Sequence, residues 1–529
     1  MRRVGADGSV SETADVSAPE EAMPVETELD AYEGPSWRQD TSPFEVDWFV
    51  SWDWFGEVFD PVNNETYKKI LNETGATINF SSGDYEKFNT LIATDSLPDV
   101  VTSDISGGLA SLKLLKSNQM LLPLDELMEK YAPDLQYPQL MMDWYRYTDG
   151  HWYEIVNYTD GEGRWGHNAN FVRTDLLAEI GMTMDDLHTK NGFMDALKRV
   201  KEMGLKYDDA LVTPFLGAYE HNFAEQFGMQ REDKDGNLIN SLRTPEYLEA
   251  LLYLNEMFRN GLFTDEEFTM DGTQRQTKIA SGQVFLMNGW NDVYYGRLPL
   301  YNADPDATIL FNGVITDGGS GNPPLMASVG PEGWGSTVIM KNARHPDRII
   351  RLFAYLTTDE AMVDAMYGAN TYTFQEDGRM VRKPEVEAEF NENYQAAYAK
   401  YQTGFDIFVQ WAVIEDHFPV ASDTLDIDER FFEDELLPMI YNSLAMCNIA
   451  PQPETESELW GVNDQIWQYW SQARPKIIMA GSADECKTLF EQALAEMDGI
   501  GMARVDEYQN KIFKENKQRL NIDFITHIY

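Results

Sequence analysis

The sequence predicts an α/β fold with doubly wound sheets, and three observations carry the prediction. Short, mostly apolar runs at 44–50, 77–80 and 98–102 read as strands. Between them lie stretches with apolar residues at helical spacing, each bounded by a polar cap or a glycine. A second series of the same kind follows further along the chain. Strands alternating with helices in this way build largely parallel sheets covered by helices.

Residues 44–50 (Phe-Glu-Val-Asp-Trp-Phe-Val) are apolar at consecutive positions, which predicts a strand buried on both faces. A helix follows, with Asp60 as its cap, Pro61 in its first turn, Tyr67, Ile70 and Leu71 as its apolar stripe and Gly75 as its stop. Strand 77–80 comes next, then a stripe of Tyr85, Phe88, Leu91 and Ile92. Strand 98–102 precedes a helix marked by Leu109, Leu112 and Leu115. Residues 170–173 read as a strand that leaves this first lobe.

The second series starts with helices at 174–180 and 193–203 and a strand at 211–215. A hairpin around Asn237 comes before a long helix. Thr244 and Pro245 start that helix, Gly261 stops it, and Tyr247, Leu251, Leu254 and Phe258 point inward. Strands at 284–287 and 308–314 complete the series. Residues 333–340 read as a strand crossing back, and helix 347–357 follows with Ile349, Leu352, Phe353 and Leu356 on one face. Beyond Pro384 the chain is mostly helical, ending with helices at 484–497 and 503–518. No internal repeat of fixed period is evident.

The chain has 529 residues and a formal net charge of -48. Such a field repels phosphate backbones and anionic membrane surfaces, which excludes nucleic acid as a partner. Two cysteines, Cys447 and Cys486, exclude a disulfide framework and a Cys-rich zinc site, and leave a single bridge between them open. No run of about 20 apolar residues is present. Residues 1–43, rich in Ser, Pro and Glu, read as a disordered acidic linker, a surface tether truncated upstream.

Few catalytic or metal motifs survive inspection. Residues 161–166 fit G-x-G-x-x-G, but a strand rather than a helix follows, so the glycines read as a loop beside a crossing. Residues 233–237 (Asp-Lys-Asp-Gly-Asn) begin like a calcium loop, yet Leu238 and Thr244 stand where Gly and Glu are required, which favours a hairpin turn. The seven histidines show no zinc spacing. No G-x-S-x-G and no phosphate-cradling loop occurs. No catalytic residues are expected.

The informative signal is aromatic. Sugars present C–H faces ringed by hydroxyls, so a Trp face beside a carboxylate or amide suits them. In open α/β sheets such groups belong at the carboxyl ends of strands. Trp52, Asp53 and Trp54 follow the first strand, and Asp104 follows the third. Trp165, Tyr219 and Glu220 occupy loops of the right kind. Trp290 and Asn291 follow strand 284–287, and Trp334 sits at the second crossing. By contrast Trp460, Trp467 and Trp470 are at helical spacing and read as core.

Several phrases resemble one family. Residues 64–78 are similar to the first helix and second strand of extracellular solute-binding proteins of ABC importers, family 1, carbohydrate type. Residues 85–100, with their Leu-Pro-Asp-Val ending, are the most specific match. Residues 121–125, 171–181, 279–284, 333–358 and 495–508 resemble later pieces in the same order. The resemblance implies a periplasmic-binding-protein-like type II fold, two α/β lobes joined by hinge crossings. It divides the chain into the linker at 1–43, a first lobe of 44–168 and 334–372, and a second lobe of 169–333 and 373–529, with some late helices packing on the first. It further implies a monomer without enzymatic activity or cofactor, closing on an oligosaccharide for an ABC permease. Its place would be the Gram-positive cell surface, held by a lipid anchor on an N-terminal cysteine that this chain does not contain. Some relatives hold calcium near a segment like 233–237. A binder of peptides or other non-sugar solutes is the main alternative. A secreted glycoside hydrolase would share the aromatic chemistry and needs two convergent carboxylates.

Overall fold

The computed structural model describes residues 32–104, 109–159, 169–376, 380–410, 436–452 and 457–525. Its main strands are β1 (Phe44–Val50), β2 (Ala76–Ser82), β3 (Val100–Asp104), β4 (Glu154–Val156), β5 (Asn170–Arg173), β6 (Thr213–Leu216), β7 (Val284–Asn288), β8 (Ile309–Gly313) and β9 (Gly335–Ile339). They form two sheets. The first has the order β2-β1-β3-β9-β4, with β1 parallel to β2 and β3, and β9 antiparallel to β3 and β4. The second has the order β8-β5-β7-β6, with β5 antiparallel to β7 and β8, and β7 parallel to β6.

The chain therefore leaves the first sheet after β4, builds the second, and returns as β9. Both crossings run between the same two rims. The first connects the end of β4 to the start of β5. The second connects the end of β8 to the start of β9.

Local chemistry explains most boundaries. Helix α1 (Glu65–Thr74) is capped by Asn64, not by Asp60 as the sequence suggested: Asn64 Oδ1 accepts from the N–H groups of Thr66 and Tyr67, both at 3.0 Å. Asp60 closes the preceding turn instead, accepting from Val62 and Asn63 N–H. Helix α2 (Tyr85–Ala93) is capped by Asp84, and Gly75 ends α1 in the left-handed region at φ 72. The Leu-Pro-Asp phrase has a structural purpose. Asp99 accepts from Asp47 N–H (2.9 Å) and from the Arg344 backbone (2.9 Å) and guanidinium (2.6 Å), tying β1 and β3 to the chain after β9.

The first core gathers Val46, Trp48, Trp152, Ile339, Leu352 and Phe353. Met380, Ile407, Phe408, Val409 and Leu444 of the later chain join it. Asn64 Nδ2 also donates to the Ala399 and Gln402 carbonyls, so residues beyond 372 pack on the first lobe. The second core gathers Phe193, Phe215, Phe223, Leu251, Leu254 and Phe490. Thr244 caps its long helix as expected.

Three helices follow the 453–456 stretch: Ser457–Ile478, Ala483–Ile500 and Met502–Leu520. Trp470 is buried in the second core. Trp460 and Trp467 are not, with 43% and 51% of their surfaces exposed. The first of these helices turns one face inward through Leu459, Ile466 and Trp470, and residues 460 and 467, two turns apart, share the outward face. Cys447 and Cys486 are free thiols.

Candidate functional site

Four aromatic side chains meet on the rim of the first sheet. Trp52 follows β1, Tyr158 follows β4, and Trp334 precedes β9, whose antiparallel direction brings its start to the same rim. Trp52 and Trp54 stack in parallel, with ring centroids 5.2 Å apart and planes 3° apart. Trp334 lies 4.4 Å from Trp52, tilted by 31°, and Tyr158 stacks on Trp334 at 6.3 Å. The outer member, Trp54, is 66% exposed, Trp334 is 36% exposed, and Trp52 is buried at 5%. Asp53, between Trp52 and Trp54 in sequence, is exposed. Asp104 is the last residue of β3, buried and opposite Gly335.

Backbone geometry holds this platform. Gly333 sits at φ 82, and a Cβ there would meet the Asn157 carbonyl oxygen at 2.2 Å. Asn157 Oδ1 accepts from Gly335 N–H at 2.7 Å, and its carbonyl accepts from Trp334 N–H at 3.3 Å. Trp334 is thus aimed by a close approach that excludes any side chain at 333. The Trp52 indole N–H is buried without a hydrogen-bond partner among the described residues.

The rim of the second sheet is polar. Tyr219 follows β6 and precedes the helix Glu220–Gln226. Its hydroxyl donates to Asp292 Oδ2 at 3.4 Å, and the Arg275 guanidinium lies 5.6 Å over its ring. Arg275 donates to the Met270 and Glu267 carbonyls and lies 3.5 Å from the Glu267 carboxylate and 3.9 Å from that of Asp292. Glu267 in turn accepts from Gly217 and Ala218 N–H, each at 3.2 Å. Burial pushes the Tyr219 hydroxyl up to about 12 and raises the Asp292 and Glu267 carboxyls, against the opposing pull of Arg275. Tyr219 is a neutral phenol at neutral pH.

The structure does not bring every expected residue to these rims. Glu220 points inward, where Tyr247 Oη and Arg474 Nε donate to it at 2.9 Å and 2.5 Å, so it is an interior ion pair between helices. Trp290 and Asn291, expected in a loop, open the helix Trp290–Ala303 after Gly289. That helix carries Asp292 to Tyr219. Trp165 and the 161–166 glycine motif lie outside the described residues. The sequence reading missed Tyr158, Arg275, Asn222 and Asn288. Tyr158 follows Asn157, the same aromatic-beside-amide signal that selected Trp290. Arg275 gave no such signal, because its site neighbours come from separate elements.

Residues 233–237 form the expected hairpin turn. Asp233 Oδ1 accepts from the N–H groups of Asp235 and Asn237, both at 2.8 Å, and Asn237 Oδ1 faces the Lys514 ammonium at 2.6 Å. Among the described residues no group of three or more His, Cys, Asp or Glu is arranged to hold a metal.

The family model for bacterial extracellular solute-binding proteins matches residues 59–363, more than half of the chain. The chain belongs to this family. No curated protein matches this solute-binding protein. Among solved structures it is similar to the S. pneumoniae ABC-transporter substrate-binding protein FusA in complex with kestose, at 14% identity and TM-score 0.66 over 90% of this chain and 100% of that one. It is also similar to a solute-binding protein of Bifidobacterium longum infantis described as binding HMO, at 15% identity and TM-score 0.66, covering 90% and 99%. The N-glycan transport protein NgtS of S. pneumoniae aligns at 15% identity and TM-score 0.60, again over 90% and 99%. These likenesses show the fold: a type II periplasmic-binding-protein-like pair of α/β lobes joined by crossings.

Proposed function

We propose that this solute-binding protein captures an oligosaccharide by closing its two lobes around it and presents it to an ABC importer permease. The observation that carries the reading is the platform made by the stacked Trp52–Trp54 pair and the Trp334 ring tilted against both, with Trp54 exposed, on the strand rim from which both crossings run. Indole faces shield the C–H patches of a sugar ring, and neighbouring carboxylates and the Tyr219–Asp292–Arg275 group bond its hydroxyls. The three similar structures named above carry kestose, HMO and N-glycan in their descriptions, which supports the same ligand class here.

Closure follows from differential contact. A ligand touching both rims favours the closed arrangement by the contacts that only that arrangement makes. Closing excludes water and strengthens each hydrogen bond. A platform already stacked in the free protein loses little side-chain entropy on binding. The protein acts as a monomer that binds without bond cleavage. It works outside the cell, held at a Gram-positive surface by a lipid anchor.

Titration calorimetry against a panel of neutral oligosaccharides, with chromatography of each mixture afterwards, tests the reading. Heat of binding with every glycan recovered intact is expected. Cleaved glycan, or no heat from any oligosaccharide alongside binding of peptides, overturns it.

A further inference from the structure

A chain of amides runs through the second lobe and ends at its rim. Ile315 N–H donates to Gln226 Oε1 at 3.0 Å. A backbone N–H can only donate, so the oxygen of Gln226 must face it. Asn170 Nδ2 donates to the same oxygen at 2.9 Å, and Asn170 Oδ1 accepts in return from Gln226 Nε2 at 3.5 Å, which fixes the orientation of Asn170. Asn288 Nδ2 then donates to Asn170 Oδ1 at 3.0 Å, and Asn222 Nδ2 donates to Asn288 Oδ1 at 2.6 Å. One buried N–H thereby sets the direction of four consecutive amides.

The interior members are fixed. Gln226, Asn170 and Asn288 are all at most 2% exposed. Asn222 is half-buried, and its Oδ1 has no partner among the described residues. It sits one turn after Tyr219 on the short helix Glu220–Gln226, and Asn288 is followed by Gly289, whose bare Cα lies against the Tyr219 ring. Asn222 is thus joined through Asn288 to the residue that packs on Tyr219, on the rim that carries the Tyr219–Asp292 pair.

We propose that Asn222 is a specificity-determining contact of the second lobe, presenting a fixed acceptor to a hydroxyl of an uncharged sugar unit. Asn288, Asn170 and Gln226 are positioning residues that hold it. The nearby cation, Arg275, is already engaged by the Glu267 and Met270 carbonyls and lies beside two carboxylates. An acceptor oxygen on the rim that also carries Asp292 favours a ligand that donates and disfavours a carboxylated sugar. This inference rests on the oligosaccharide reading above and names the ligand chemistry of the same site.

The test compares Asn222→Ala and Asn222→Asp with the parent protein and with Trp54→Ala, titrated with kestose, maltotriose, a human-milk tetrasaccharide and Man1GlcNAc. For the glycan bound tightest, Asn222→Ala is expected to weaken affinity about tenfold, the scale of one lost hydrogen bond whose partner is left unpaired. Its melting temperature is expected to fall by a few degrees at most, because Asn222 ends the chain of amides and only Asn288 Oδ1 loses its donor. Asn222→Asp cannot donate to Asn288 Oδ1 and is expected to weaken binding at least as much. Affinity of Asn222→Ala within twofold of the parent, while Trp54→Ala binds weakly, overturns this inference and leaves the oligosaccharide reading standing. Failure of the parent protein to bind any of the four overturns both.

Discussion

Trp54 shows how one residue divides function from stability. Two-thirds of its surface is exposed although it stacks on buried Trp52. Trp54→Ala is expected to weaken glycan affinity ten- to a hundredfold, on the order of 1–3 kcal/mol, while shifting the melting temperature little. Calorimetry and thermal unfolding on the same sample check both halves. Asp99 is the opposite case. Burial works to raise its carboxyl, but the Arg344 guanidinium and the Asp47 and Arg344 N–H groups outweigh it and hold it below the usual range. A carboxyl lowered in the folded state stabilises the protein above its unfolded value of about 3.9, and that contribution is lost as pH falls through the folded value. Asp99→Asn is therefore expected to destabilise at neutral pH by about 2 kcal/mol and to flatten the loss of stability below about pH 4, as read from denaturant melts across pH. The Trp52-Asp53-Trp54 cluster was legible because its members are neighbours in sequence. The fate of Glu220 was not, because Arg474 reaches it from 254 residues away.

Strands and helices were read more reliably than the residues that cap them. Only residues 48–50 of the run 44–50 are buried on both faces, where β2 and β3 flank β1; Glu45 is exposed and Asp47 half-buried, so the first half of the strand covers the core with one face only. Asp60 and Asn64 are equally good caps by residue type, and only the tertiary bonds of Asn64 to the Ala399 and Gln402 carbonyls favour the second. The turn before β9 is the element on which the platform depends. Gly333→Ala places a Cβ on the Asn157 carbonyl at a positive φ, and is expected to cost about 2–3 kcal/mol and to displace Trp334. Loss of both thermal stability and glycan affinity checks this; unchanged affinity would separate the turn from the platform. The helix Met502–Leu520 spans the lobes in a way no periodicity reveals. Its Arg519 donates to the Asp143 and Trp144 carbonyls of the first lobe, while Lys517 pairs with Glu232 of the second.

At the scale of the whole molecule, two lobes were legible because the strand–helix alternation restarts after residue 170. That some late helices pack on the first lobe was expected from the family resemblance, but that 380–410 is the segment that returns was not legible, since its helices carry no mark of the sheet they cover. The net charge of -48 also belongs to this scale. A neutral glycan does not couple to that field, so its affinity is expected to change less than about twofold between low and high salt, measured by calorimetry. A strong salt dependence would point to a charged ligand. The central claim is closure of the two lobes on a sugar. Small-angle X-ray scattering, with and without a saturating oligosaccharide that calorimetry shows to bind, tests it most directly. A smaller radius of gyration and a narrower distance distribution are expected in the bound state; an unchanged profile at saturation would rule out closure.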